Sequence, residues 1–183
     1  MQHSLQSLDL SGNSDLSFAE IDTVIRNNPQ LTELGLSDIQ VGAFPIYMTP
    51  MGLPYRFTRL DLDRAGLEFD LVSLSSYSTL RDLSVSGNQL TYLVGIQDLP
   101  NLRSLNASDN KRLMGVYELM SPNMTQLQSL NLSGNKQLQF SDIQQVLMNN
   151  TGLTEIALAD IAIGSQFPLL TGPNGDYALT SLD

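Results

Sequence analysis

The strongest constraint on the fold of this chain is that it repeats itself. Leu5-Gln-Ser-Leu8-Asp-Leu10-Ser-Gly-Asn13 returns as Leu127-Gln-Ser-Leu130-Asn-Leu132-Ser-Gly-Asn135, and the L-x-x-L-x-L skeleton also begins at Leu31, Phe57, Leu80, Leu102 and Leu153. A last copy starts at Leu179. The starts lie 22 to 26 residues apart. Alternate apolar residues put one row of side chains on one face, the period of a strand. One such unit cannot bury its Leu row, so successive units must stack.

A longer period overlies the short one. Residues 5–39 and 127–161 align without a gap at an offset of 122, with 20 identities in 35. Phe18 matches Phe140, Ile21 matches Ile143, and Asn27-Asn28 matches Asn149-Asn150. A block of five units is duplicated, and the second block stops in the strand of its third unit. Residues 1–183 are therefore expected to form one solenoid of seven full repeats and a truncated eighth, a segment of a longer array.

These units resemble the leucine-rich repeat family, whose motif is L-x-x-L-x-L-x-x-N-x-L, over nearly the whole chain. The resemblance implies an α/β horseshoe with a parallel concave β-sheet and short helices, turns and loops on the convex side. It also implies a structural Asn inside each turn, here Asn13, Asn88, Asn110 and Asn135. Ile39, Ala65 and Ile161 replace that Asn in three units, so an unbroken Asn ladder is not expected.

The convex side varies from unit to unit. Ser17-Phe-Ala-Glu20 has capping-box spacing before an apolar stripe that runs to about Asn27, and residues from Phe140 to Asn149 repeat it. A third helix is predicted from about Gly115 to Met120, ending before Pro122. The segment 90–100 should hold only tight turns. Gly42 to Pro54, rich in Pro and Gly, reads as a long loop that carries Tyr47 and borders Tyr55; Gly164 to Gly175 mirrors it.

On the concave face three columns follow from the alternation. The first runs Ser7, Glu33, Arg59, Asp82, Ser104, Ser129, Glu155. The second runs Asp9, Gly35, Asp61, Ser84, Asn106, Asn131, Ala157. The third runs Ser11, Ser37, Asp63, Ser86, Ser108, Ser133, Ala159. Candidate binding residues are Glu33, Arg59, Asp61, Asp63, Asp82, Ser84, Asn106 and Asn131. Two readings of the charges stand side by side. One is an acidic patch that steers a basic partner. The other is a solvated cross-strand ladder, Glu33–Arg59–Asp82, with opposite charges facing at about 5 Å. No column holds an aromatic anchor of the kind that dominates protein interfaces.

Composition removes several functions. The formal charge is −10, with nine Lys plus Arg, which disfavours phosphate contacts and nucleic acid. No run of 18 apolar residues exists to insert into a membrane, and no leader pattern is visible at Met1. There is no Cys and one His, His3, and the two Lys, Lys111 and Lys136, follow the turn Asn residues. No catalytic constellation or cofactor site emerges. Asp61 and Asp63 alone are too few carboxylates for a metal site. The resemblance implies a non-catalytic binding module for a protein or glycan partner, possible self-association end to end included. A Ser/Asn/Asp-rich, nearly Lys-free composition favours a cell-surface or secreted segment. The alternatives are a cytoplasmic scaffold or effector repeat, and the recognition arm of an enzyme whose catalytic domain lies elsewhere. Sequons at Asn106, Asn123, Asn131 and Asn149 are glycan acceptors only in a secreted setting.

Overall fold

The computed structural model describes residues 5–41, 56–161 and 181–182. The expected long loops, Tyr47, Tyr55 and His3 lie outside the described residues.

Each L-x-x-L-x-L segment supplies one short strand. These are β1 (Ser7–Asp9), β2 (Glu33–Gly35), β3 (Arg59–Asp61), β4 (Asp82–Ser84), β5 (Ser104–Asn106), β6 (Ser129–Asn131), β7 (Glu155–Ala157) and β8 (Ser181–Leu182). They pair in chain order as one parallel eight-stranded sheet. We number the coils by the strand they carry. Register is in step throughout: Leu8, Leu34, Leu60, Leu83, Leu105, Leu130, Ile156 and Leu182 face one another in succession. Leu34 to Ile156 in this row are each at most 2% exposed. Leu8, which among the described residues has a neighbouring strand on one side, is half-buried.

The turn after each strand has one fixed requirement. Gly12, Asp38, Arg64, Gly87, Asp109, Gly134 and Asp160 occupy the same position in coils 1 to 7, and all have φ between 51° and 79°. Gly meets this without strain, and Asp meets it more easily than most residues; Arg64 is the unusual occupant.

On the convex side, helix α1 (Phe18–Asn27) starts with the predicted capping box. Ser17 Oγ accepts from Glu20 N, and Glu20 Oε2 accepts from Ser17 N at 2.8 Å. Helix α2 (Phe140–Asn149) repeats α1, and Asn150 closes it by donating to Val146 O and, across coils, to Leu119 O. The third predicted helix is corrected. Only a 3-10 turn forms at Tyr117–Met120, since Pro122 restricts Ser121 and leaves too few residues for an α-helical nucleus. The segment 90–100 contains a 3-10 turn at Ile96–Asp98, as its short unit requires.

Coils differ by one residue where they leave the turn. In coils 3 and 4, Ala65-Gly-Leu67 and Asn88-Gln-Leu90 run flat, and Glu68–Phe69 pairs in parallel with Gln89–Leu90. In coils 1, 5 and 6 an extra residue makes a tighter turn, in which Leu16, Leu113 and Leu138 donate back to Asn13, Asn110 and Asn135 O.

Candidate functional site

The turn Asn residues form a ladder over consecutive coils. Asn88 Nδ2 donates to Val85 O within its coil and to Leu62 O of coil 3, while its Oδ1 accepts from Leu67 N. Asn110 repeats this with Ala107 O, Val85 O and Leu90 N. Asn135 donates to Leu132 O and Ala107 O. All three are buried. Asn13 is exposed and, among the described residues, bonds Leu10 O and Ser11 O. The replacements Ile39, Ala65 and Ile161 are buried and apolar.

Among the eight candidate residues of the concave face, the structure draws a sharp division. Asp61 Oδ1 accepts from Ser37 Oγ at 2.5 Å and from Asp63 N at 3.0 Å. Asp63 Oδ1 accepts from Ser84 Oγ at 2.6 Å and Ser86 N at 2.7 Å. Asn106 Oδ1 accepts from Ser108 N and Oγ, and its Nδ2 donates to Ser84 Oγ. Asn131 Oδ1 accepts from Ser133 N. Side-chain oxygens that bond the backbone two residues on are Asx turns, and here they close the exits of the strands. The second and third columns are therefore largely engaged in holding the sheet together.

The first column is different. Glu33, Arg59 and Asp82 are register neighbours on β2, β3 and β4. Among the described residues, no ion pair or side-chain hydrogen bond joins them. The expected ladder of facing charges is thus present in position but not closed as direct pairs. Long side chains on a wet face lose entropy by pairing and gain little Coulomb energy there. Two shallow troughs of about 250 and 260 Å³ flank Arg59; Glu33 and Asp9 edge one, Asp82 and Asn106 the other.

Burial raises the Asp63 carboxyl above its usual value, against the lowering effect of the Ser84 and Ser86 bonds; the nearby Asp61 charge also raises it. Desolvation thus outweighs hydrogen bonding at this position.

Two features went unnoticed in the sequence. Arg64 Nε and Nη2 clamp the Asp38 carboxylate at 2.6 and 2.8 Å, which holds that carboxyl below its usual value. This fork spans two left-handed turns, and the signal available for it was a cation and an acid 26 residues apart in the Gly column. A cleft of about 510 Å³ also opens at the strand-exit edge of coils 3 to 5, with Arg64, Lys111 and Arg112 in its wall. Among the described residues, no three of His, Cys, Asp and Glu cluster as a metal site would require.

Comparison with known proteins agrees with this geometry. No protein-family profile matches the chain. It is 40% identical over 82 residues to the acidic leucine-rich nuclear phosphoprotein 32 family member A of Drosophila melanogaster. It is 48% identical over 61 residues to the protein of the same name in Drosophila pseudoobscura pseudoobscura. The matches span 30% and 22% of those relatives' length. Among solved structures, an internalin C2 of Listeria monocytogenes is similar over 97% of this chain and 79% of its own, with TM-score 0.65 and 21% identity. A second internalin of that bacterium matches 98% of this chain and 61% of its own, with TM-score 0.50 and 20% identity. Repeat motif, coil geometry and these likenesses converge: the chain is a leucine-rich repeat solenoid.

Proposed function

We propose that the chain is a non-catalytic module that recognises a protein partner through its concave sheet, at Glu33, Arg59 and Asp82. One observation carries this reading. These three charges stand side by side in register with no ion pair or side-chain hydrogen bond among the described residues, while Asp61, Asp63, Ser84, Asn106 and Asn131 beside them are tied into the sheet. A rigid floor beneath these charges lowers the ordering cost of binding. The two carboxylates outnumber Arg59, so the partner presents a basic segment, and charge steers the encounter. A cell-surface or secreted setting belongs to the same proposal and rests on the Lys-poor composition; the word nuclear in the fly relatives' name supports the intracellular alternative.

The test is capture of binding proteins on the immobilised full chain at low and moderate salt, compared with a Glu33→Lys/Asp82→Lys variant. Basic proteins should be retained at low salt, released as salt rises, and lost with the variant. Retention of the same proteins by a folded variant overturns the reading.

A further inference from the structure

The one-residue difference between coil 4 and coil 5 has a local result. Coil 4 leaves its turn flat through Asn88-Gln89-Leu90, whereas coil 5 rises through Asn110-Lys111-Arg112 before Leu113 folds back onto Asn110 O. Between them lies an open groove of about 510 Å³. Arg64, Lys111 and Arg112 line it, facing a single carboxylate, Asp109. Three of the chain's nine cations thus converge on one cleft of a molecule with nineteen acids. Arg64 is shared with Asp38. Among the described residues, neither Lys111 nor Arg112 has an ion-pair partner, and both are exposed.

The same coils continue from the cleft into an apolar shelf. Phe69, Tyr92, Met114 and Tyr117 are 64, 41, 54 and 60% exposed. Thr91 N and Tyr92 N both donate to Phe69 O, and Met114 N donates to Thr91 O, so these residues sit on adjoining coils. The Tyr117 ring lies over Gly115, where an added β-carbon would strike it. Arg, Tyr, Phe and Met are the residues that interfaces favour, and the concave columns hold none of them except Arg59.

We propose that this strand-exit edge of coils 3 to 5 is a second interaction surface, which docks an acidic peptide segment of a partner protein. Carboxylates of the segment enter the cleft against Lys111 and Arg112, and its apolar side chains lie across Tyr92, Met114 and Tyr117. Charge selects this occupant. On a chain of net charge −10, this groove wall presents two cations, Lys111 and Arg112, that have no ion-pair partner among the described residues, against one lining carboxylate, Asp109. Glu68 and Asp70, which flank Phe69, turn the acidic end of the segment away from coil 3 and toward the cleft. The surface is separate from the concave one and stands or falls without it.

The experiment selects phage-displayed random peptides on the full chain and measures the winners by fluorescence anisotropy. Winners enriched in Asp and Glu together with aromatic or aliphatic residues are expected. Their affinity should fall at least about tenfold with Lys111→Glu/Arg112→Glu and with Tyr92→Ser/Tyr117→Ser, weaken with salt, and survive Glu33→Lys/Asp82→Lys. The neutral pair Lys111→Gln/Arg112→Gln should give an intermediate loss, which guards against a folding defect. Winners without acidic enrichment, or with undiminished affinity for both edge variants, overturn the proposal. Loss confined to the concave variant overturns it and leaves the concave reading standing. Self-association of the chain that the edge variants abolish would assign the surface to a second copy instead.

Discussion

Asp63 of coil 3 takes its hydrogen bonds from the next coil, with Ser84 Oγ 2.6 Å away from its Oδ1. A carboxylate placed there bonds well and is poorly hydrated, and desolvation is the larger effect, so its titration lies above the ordinary value. The folded chain therefore takes up a proton at Asp63 at a pH where the unfolded chain does not.

Stability should accordingly rise as pH falls from above the raised folded value toward the ordinary value near 3.8, as far as Asp63 is concerned. Asp63→Asn keeps an acceptor for Ser84 and Ser86 but has no charge to desolvate. We expect Asp63→Asn to be at least as stable as the parent at neutral pH and to lose this part of the pH slope. Urea unfolding between pH 7 and 4 measures both; an unchanged slope would contradict the assignment.

Asn110→Ala should be far more costly than Asn13→Ala. The first orphans the buried Leu90 N, at roughly 1–3 kcal/mol, and removes bonds to Val85 O and Ala107 O, which Asn88 and Asn135 still satisfy. The second, among the described residues, touches its own exposed turn, so a loss below about 1 kcal/mol is expected. Chemical denaturation of the two variants side by side decides it.

In the Leu row, Leu83 is buried between Leu60 and Leu105. Leu83→Ala should cost roughly 2–5 kcal/mol, because the coils on either side cannot close over the cavity. A thermal melt with no shift would mean the row does not pack as described.

The glycines split into two kinds. A β-carbon on Gly95, at φ +107°, would fall 2.3 Å from Leu71 O, whereas one on Gly12, at φ +79°, meets nothing within 4 Å. Gly12→Ala should cost only the left-handed strain of about 1–2 kcal/mol, and Gly95→Ala distinctly more than that. Equal midpoints for the two variants would refute the clash.

Strands, their register and both helices were legible because each depends on spacing within one unit: Leu8 to Leu10, or Ser17 to Glu20. The role of the concave polar residues was legible only in part, because the rest depends on stacking. Column position marks Asp61 for the local bond to Asp63 N and sets it apart from Asp82, but its bond to Ser37 Oγ one coil away has no signal within the unit. That bond arises from what the neighbouring coil offers. The basic cleft was hidden for a similar reason. Arg64, Lys111 and Arg112 meet only because Asn110-x-x-Leu113 is one residue longer than Asn88-x-Leu90, a difference visible in the spacing but meaningful only once coils 4 and 5 are superposed. The third helix failed because its apolar stripe was too short to outweigh the restriction that Pro122 places on Ser121.

The recurring left-handed turn at Gly12, Asp38, Arg64, Gly87, Asp109, Gly134 and Asp160 gives these junctions of the array one shared backbone joint. The joint keeps the same left-handed φ in coils 1 to 7, both before the flat exits of coils 3 and 4 and before the longer exits of coils 1, 5 and 6. Whole coils can then be copied, removed or exchanged as cassettes, and the 122-residue duplication, which returns α1 as α2 and β1 as β6, is an instance already written into the chain. The array can thus lengthen its surface in whole-coil steps while each new face is free to diverge.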